Sequence, residues 1–376
     1  MTLVAVVNAG SSSLKVRLLG PDDVVADSLD LDRWEGSPDQ PELADFLAGA
    51  CADAAVVGHR VVHGGTKFSR AVLIDDGVVA AIGQLTDLAP LHQPRALAGI
   101  AAARRALPGT PAVACFDTAF HAEMPPAAAL YALPPVWTQR YGLRRFGFHG
   151  LSHSYAARRA SELLGRDLAQ LRVVTCHLGA GASLAAVHGG RSVDTTMGFT
   201  PLEGLVMATR SGTVDPGMIV WLLQDGRLDL HDVALGLEQA AGLAGLSGQP
   251  GGDILDVQQA AAAGDPAAVL AIEVYLHRLR REIAAMAAAM NGLDALAFTG
   301  GIGEHNPQVR AAAAAGLGFL GTNVADELNR ATADAVISGP DAAVPVLVIT
   351  AREDIEIARQ ARAIVNECGR AGAASA

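Results

Sequence analysis

The chain has 376 residues, 51% of them apolar and 18% charged, with a formal net charge of -11. This length exceeds one ordinary hydrophobic core and predicts two domains. The acidic balance argues against nucleic acid or an anionic membrane as a main partner, and it makes any cluster of arginine a local exception.

Residues 3–7, LVAVV, are continuously apolar and predict a buried strand. No basic segment precedes them, and no stretch approaches the roughly 20 apolar residues of a membrane span, so a cytoplasmic protein with no membrane partner is expected. Small polar residues at 8–13 break the run, and Leu14–Leu19 resumes it, which predicts a hairpin with a Gly/Ser turn. Residues 21–52 are polar and acidic and are expected at the surface. Val56–His63 and Ala112–Phe116 are further strand candidates, and Leu97–Leu107 is Ala-rich and helical. Near residue 172 the opening recurs: Arg172–Cys176 reads as a strand, 177–183 as a Gly/Ser turn and Leu184–Val187 as a second strand. This internal echo predicts duplicated domains. Asp265-Pro266 supplies an N-cap and a first-turn proline. A helix follows with Val269, Ile272, Leu276, Leu279, Ile283, Met286 and Met290 on its apolar face, and Asn291-Gly292 ends it. Leu296–Thr299 is a short strand running into Gly300-Gly301-Ile302-Gly303, and Val344–Ile349 is the last strand. The tail after Cys368 is expected to be disordered. Cys51, Cys115, Cys176 and Cys368 form no CxxC pair and no zinc spacing, so they read as buried thiols of a reducing compartment.

The first turn, Asn8-Ala9-Gly10-Ser11-Ser12-Ser13, is followed by Leu14 and Lys15. Small residues let backbone N–H groups approach a phosphate, Ser11 and Ser13 add donors, and Lys15 adds charge. It is not a Walker A loop, because no GxxxxGK[ST] occurs; a plain hairpin turn is the alternative. The second turn, His177-Leu178-Gly179-Ala180-Gly181-Ala182-Ser183, repeats the logic, and two such hairpins could hold a polyphosphate across a cleft. Gly316-Leu317-Gly318-Phe319-Leu320-Gly321 matches GxGxxG formally, but it follows a helical Ala run, so it reads as a helix stop. His149 and His153 have the i,i+4 spacing of zinc ligands, but there is no HExxH and Gly150 disfavours a helix there. Arg60 and Arg210 each sit among apolar or small residues, where an arginine is expected to meet an anion. Asp117 ends the strand VACFD, the position of a metal or catalytic acid in α/β proteins, with turn capping as the alternative.

These segments resemble the acetate kinase family. The matching runs are NAGSSSLK (8–15), GHRVVHGG (58–65), LAPLH (88–92), FDTAFH (116–121), YALP (131–134), RRFGFHGLSH (144–153), TCHLGAGAS (175–183), DTTMGFTPLEGL (194–205), TRSGTVDP (209–216), FTGGIGE (298–304) and ITAREDIEIA (349–358), in family order over nearly the whole chain. The resemblance implies an α/β fold of two duplicated ASKHA domains with a central cleft. Domain I would be residues 1–119 plus 354–376, and domain II residues 120–353. It also implies phosphoryl transfer between ATP and acetate with Mg²⁺ or Mn²⁺, and a homodimer. Among the matching positions, Arg60 and Arg210 would clamp the carboxylate and the transferring group. His149 would donate to the phosphoryl oxygens, and Asp117 would orient the reactants. Asn8 and Glu353 match the metal positions; Val62, Leu91, Phe148 and Pro201 match the pocket for the acetate methyl. Lys15 and residues His177, Leu178, Gly179, Ala180 and Gly181 match phosphate contacts. Asp253, Ile254, Leu255, Gly301, Ile302, Gly303, Glu304 and His305 match adenosine contacts.

Three departures fall on the nucleotide side. Ala180 stands where the family usually has Asn, Asp253-Ile254-Leu255 replaces an Asp-aromatic-Arg run, and His305 takes the place of the Asn after GIGE. Propionate and butyrate kinases share much of the pattern and are the near alternatives, with a non-catalytic actin-like nucleotide module a distant one. An arginine lining a cleft contributes little to a core, so Arg60→Ala and Arg210→Ala are expected to remain folded.

Overall fold

The computed structural model describes residues 2–10 and 13–374, with side-chain surroundings up to Arg370. It contains two six-stranded sheets. The first comprises β1 (Val4–Ala9), β2 (Ser13–Leu19), β3 (Val25–Asp32), β4 (Val56–Val61), β5 (Val72–Leu73) and β6 (Ala112–Phe116). The second comprises β7 (Arg172–Leu178), β8 (Ala182–His188), β9 (Arg191–Thr195), β10 (Ala295–Thr299), β11 (Ala335–Val336) and β12 (Val346–Val348). Their spatial orders are β3-β2-β1-β4-β6-β5 and β9-β8-β7-β10-β12-β11. Each begins with an antiparallel meander, adds two parallel strands and ends on a short antiparallel edge. The two sheets therefore share one topology, and the duplication expected from the repeated hairpin is present.

The chain divides into two compact units. The first contains Met1–Ala122, Phe148–Tyr155 and Arg352–Ala376; the second contains Glu123–Gly147 and Ala156–Ala351. In the first unit the parallel strand β6 is buried along its whole length, in keeping with its continuous apolar sequence, and β4 is buried except at Arg60, with His59 buried as well. The helix Glu353–Ala374 covers one face, packing Ile357, Ala358 and Ala361 against Val4, Val6, Val56 and Val113. The helix Gln93–Ala106 contributes Ala96, Ile100, Ala102 and Ala103 to the apolar clusters on the other. In the second unit the helix Pro266–Ala289 packs on β7, β8 and β9, and Asp265 caps it as expected.

Three expectations are corrected. Residues 21–52 are not merely surface: they supply β3 and the helix Pro41–Ala48, and Trp34, Leu43 and Leu47 are fully or almost fully buried. A few apolar residues at i,i+4 spacing inside a polar segment sufficed to dock a short helix. The inner face of the helix Pro266–Ala289 is shifted by one residue over its first half, where Ala268, Ala271 and Tyr275 are buried and Val269 is exposed. Small alanines there allow close approach, a signal that bulk hydrophobicity hides. The C-terminal helix continues through Ala374, because the Ala-rich tail keeps high helix propensity. The GxGxxG segment directly follows the helix Pro307–Ala315, as the helix-stop reading required.

His59 lies in β4 and is 1% exposed, and its Nε2 meets no hydrogen-bond partner among the described residues. Burial pushes its imidazole down to about 3. The unfolded chain therefore binds a proton below its ordinary pKa that the folded chain refuses, and stability falls as pH drops from about 6.5 toward 3. Urea unfolding should show His59→Leu losing about 2 kcal/mol less than the parent between pH 7 and pH 5. Parallel losses in both proteins would show that His59 does not control the acid limb.

Candidate active site

The candidate chemistry of the first unit gathers at the carboxyl ends of β1, β4 and β6. Asn8 lies near the end of β1, Arg60 near the end of β4, and Asp117 directly after β6. Glu353 opens the C-terminal helix. Arg60 Nε donates to Asp117 Oδ1 at 3.2 Å and Oδ2 at 3.1 Å, and Nη2 donates to Oδ2 at 2.7 Å. Arg60 Nη1 donates to Asn8 Oδ1 at 3.2 Å and lies 3.7 Å from Glu353 Oε2. Asn8 Nδ2 closes the ring by donating to Glu353 Oε2 at 2.9 Å. Four residues from four distant points of the sequence thus form one network.

Asp117 is almost fully buried, and burial pushes its carboxyl up to about 6; Arg60 opposes the rise and Glu353 adds to it. Burial also works against the charge of Arg60, but Asp117 and Glu353 together hold its guanidinium above the ordinary value. The pair is therefore ionised at neutral pH. The oxygens of Asn8, Glu353 and Asp117 are hard donors, the set that suits a divalent cation completed by substrate phosphates. Among the described residues no group of three His, Cys, Asp or Glu side chains is arranged to hold a metal.

His149 stands at φ +56°, an uncommon conformation for a non-glycine residue and one that recurs at functional sites. The helix Gly150–Leu164 begins directly after it, so Gly150 does not break a helix but opens one. Only glycine fits there: a Cβ would lie 2.1 Å from the Asp117 carbonyl oxygen, which accepts from Gly150 N at 3.0 Å. That close approach ties His149 to the Asp117 loop. The rings of His149 and His153 stand 6.5 Å apart.

Two pocket candidates of this unit are buried, and each is held by a neighbour that the motif reading gave no role. Next to Val62, the backbone of His63 donates to Gln93 Oε1 at 3.4 Å, and Gln93 Nε2 donates back to the His63 carbonyl at 3.0 Å. Phe148 is anchored by His121, whose Nε2 lies 3.1 Å from the Phe148 carbonyl oxygen. Gln93 and His121 sit within or beside the matched runs, but only the fold reveals what they hold. Leu91, by contrast, is 63% exposed. Lys15 lies opposite Asn8 in the β1–β2 register, so the two share one face of the hairpin. Ser13 is the first residue of β2 and its carbonyl accepts from Gly10 N at 2.8 Å; Ser11 and Ser12 lie outside the described residues.

In the second unit, Arg210 Nη1 donates to the Pro201 carbonyl at 3.2 Å, so the two acid-side candidates of this unit meet. Burial lowers the Arg210 guanidinium from its ordinary value. His177 pairs with Ser183, and Leu178 with Ala182, around the turn Gly179–Gly181. The Ala180 carbonyl accepts from Ala208 N at 3.2 Å, and the Ala208 carbonyl accepts from Ala244 N at 2.9 Å. His177 also pairs with Thr299 of β10, which leads into the helix Gly300–His305 holding Gly301, Ile302 and Gly303. Glu304 Oε1 accepts from Gly300 N at 3.0 Å and Ala351 N at 2.9 Å, so its carboxylate caps that helix. His305 is exposed. Asp253 caps the helix Ile254–Ala262 through Leu255 N at 2.8 Å; Ile254 is buried and Leu255 is 54% exposed.

A profile of the acetokinase family matches residues 42–359. An acetate kinase of Synechococcus sp. is 53% identical over 313 residues, covering 83% of this chain and 77% of that one. Among solved structures, an acetate kinase of Porphyromonas gingivalis superposes with a TM-score of 0.88 at 35% identity, covering 97% of this chain and all of that one. A propionate kinase of Francisella tularensis superposes with a TM-score of 0.87 at 35% identity and the same coverage.

The network adds a cost to the expectation that Arg60→Ala remains folded. Arg60 neutralises a buried carboxylate, and its loss leaves that charge uncompensated. Arg60→Ala should cost about 3–5 kcal/mol in urea unfolding at pH 7. Adding Asp117→Asn should recover part of that loss, because the uncompensated charge goes with it. An Arg60→Ala protein as stable as the parent would mean that the pair carries no such constraint.

Proposed function

The chain belongs to the acetokinase family, and we propose on that premise that it catalyses reversible phosphoryl transfer between ATP and acetate, giving ADP and acetyl phosphate. The observation that carries the reading is the Arg60–Asp117–Asn8–Glu353 network at the strand ends of the first unit. A carboxylate oxygen of acetate attacks the γ-phosphorus, a new C–O–P linkage forms, and the bond to the β-phosphate oxygen breaks with ADP leaving. The nucleophile is already ionised, so no base is needed, and catalysis reduces to positioning and charge neutralisation. Asp117 accordingly serves to orient Arg60, whose guanidinium is assigned to the anionic reactants, as is that of Arg210. His149 donates to the phosphoryl oxygens. Val62, Leu91, Phe148 and Pro201 are the residues assigned to recognition of the methyl group. Asn8 and Glu353 would hold Mg²⁺ or Mn²⁺ with the nucleotide phosphates, and the ion supplies charge neutralisation when bound.

Nucleotide contacts are assigned to Lys15, Ser11 and Ser13, to His177–Gly181, to Asp253–Leu255 and to Gly301–His305. Ile254 is buried in its unit and offers no stacking face, and Leu255 can only pack. Affinity should then rest on phosphates more than on the base. Domains at 1–119 with 354–376 and at 120–353 are proposed; the compact units differ from them in that 120–122, 148–155 and 352–353 belong to the first. A cytoplasmic location is proposed, and among the described residues no helix is long and apolar enough to cross a membrane. A homodimer is proposed as well, and the exposed Met218, Val220 and Trp221 offer an apolar surface in keeping with one. Propionate is the second acid substrate to weigh, given the near-equal likeness to a propionate kinase structure.

A coupled assay with acetate, propionate and butyrate against ATP and GTP tests the reading directly, and failure to phosphorylate any of the three acids would refute it. Arg210→Ala should lower turnover by about 10²–10⁵. Because Asp117 must be ionised to hold Arg60, kcat/KM should fall as pH drops through about 6. Near-normal turnover of Arg210→Ala, or a flat profile down to pH 5, would remove the assigned roles.

Leu255→Arg restores a side chain that can stack on a base, an interaction of about 0.5–2 kcal/mol. It should lower the KM for ATP and leave that for acetate unchanged. GTP should be accepted within about tenfold of ATP by the parent chain, about 1.4 kcal/mol. Strong rejection of GTP, or no effect of Leu255→Arg, would place the base elsewhere.

A further inference from the structure

The segment 196–205 carries Pro201, whose carbonyl receives Arg210, and it has little regular structure to hold it. Three side chains do so instead. Arg145 Nη1 donates to the carbonyls of Thr196 and Met197, at 3.1 Å each, and fixes the entry of the segment. Tyr131 Oη accepts from Phe199 N at 2.9 Å and fixes its middle. Glu203, near its exit, folds back onto both: Oε1 accepts from Arg145 Nη2 at 2.6 Å, and Oε2 accepts from Tyr131 Oη at 2.6 Å. The Arg145 guanidinium also stands 5.5 Å from the Tyr131 ring centre. The arrangement leaves no space at Gly198, where a Cβ would lie 1.8 Å from Glu203 Oε2 and 2.2 Å from Tyr131 Oη. Beyond it, Thr213 Oγ1 accepts from Gly204 N at 3.1 Å, and Arg210 lies between those two points of the chain.

None of the three side chains belongs to the assigned clamp, pocket or nucleotide set. Charge-assisted bonds at both ends of one short loop are a costly way to hold a surface turn and an apt way to hold a substrate contact in register. We propose that Tyr131, Arg145 and Glu203 form a positioning brace that sets Pro201 and, through its carbonyl, Arg210, and so tunes affinity and selectivity for the carboxylic acid. The inference rests on the acid-kinase reading above. The brace touches no reacting atom; it acts through the loop.

The test compares the parent chain with Glu203→Gln and Tyr131→Phe, with Arg145→Lys as a third variant that keeps the charge and loses the fork. KM and kcat are measured for acetate and propionate at saturating ATP, KM for ATP at saturating acetate, and thermal unfolding in parallel. Misplacing the loop should raise the KM for acetate by about tenfold to a hundredfold and shift the acetate-to-propionate preference, with the KM for ATP within about twofold of the parent. Tyr131→Phe removes a single oxygen, so it reports even if Glu203→Gln folds poorly. An unchanged acid KM in all three variants overturns the brace. So does a lower melting temperature with acid and ATP constants moving together, which is the mark of a purely structural role. If the parent itself phosphorylates no short carboxylic acid, the acid-kinase reading fails and the inference falls with it.

Discussion

The first unit is organised around one buried ion pair. Asp117 cannot stay ionised in its position without Arg60, and Arg60 is held in one geometry by bidentate contact with Asp117 and by Asn8. Replacing such a pair with apolar residues would often be neutral or stabilising, so its presence is not explained by stability. What it secures is a cationic group of fixed direction at the carboxyl ends of parallel strands. Those ends are where β1, β4 and β6 deliver their next residues, and the C-terminal helix delivers Glu353 to the same place. The strand register, the helix packing and the network depend on one another.

A second constraint is steric. The Asp117 loop and the start of the helix Gly150–Leu164 approach so closely that only glycine fits, and the residue before it is forced into a left-handed conformation. His149 is therefore not a side chain that happens to be nearby. Its left-handed backbone lies directly before the glycine that meets the Asp117 carbonyl, so the two groups are held next to each other. The pattern recurs with other atoms at Val62 and Phe148, where Gln93 and His121 fix backbone carbonyls next to apolar walls. In both cases a buried polar side chain is satisfied by the segment that carries the candidate residue, which couples local order to site geometry.

Much of this was legible in the sequence because it is local. Apolar runs marked β1 and β6, β4 was a strand candidate despite its His59 and Arg60, and the Gly/Ser turns with their repeat marked the duplication. The Asp265-Pro266 cap and the Gly316–Gly321 stop depend on neighbours only. The helix Pro41–Ala48 was hidden by a polar surround, and the true face of Pro266–Ala289 was hidden by alanines that count little in a hydrophobic pattern. Arg60, Asp117, Asn8 and Glu353 could be named from motifs, but not their mutual bonds, since Asn8 and Glu353 are 345 residues apart. Tyr131, Arg145 and Glu203 lie inside matched runs or beside them. Their common purpose is set by three-dimensional proximity, which no spacing rule encodes.

The duplicated topology sharpens what differs between the halves. In the first sheet, Val7 pairs with His59, so the next residues along β1 and β4 are Asn8 and Arg60. In the second sheet the equivalent strands β7 and β10 end on the pair His177 and Thr299. Where β4 runs on into Arg60, β10 ends on Thr299 and runs on into Gly300-Gly301-Ile302-Gly303. The same strand end thus serves two opposite needs. A fixed charge requires a long side chain and buried carboxylates to hold it, at a desolvation cost. A flat surface for close backbone approach requires side chains to be absent, and the helix beginning at Gly300 instead offers its own N–H groups, one of them already capped by Glu304. Duplication supplied two equivalent scaffolds, and the chemistry diverged at single register positions while the sheets that carry them stayed alike.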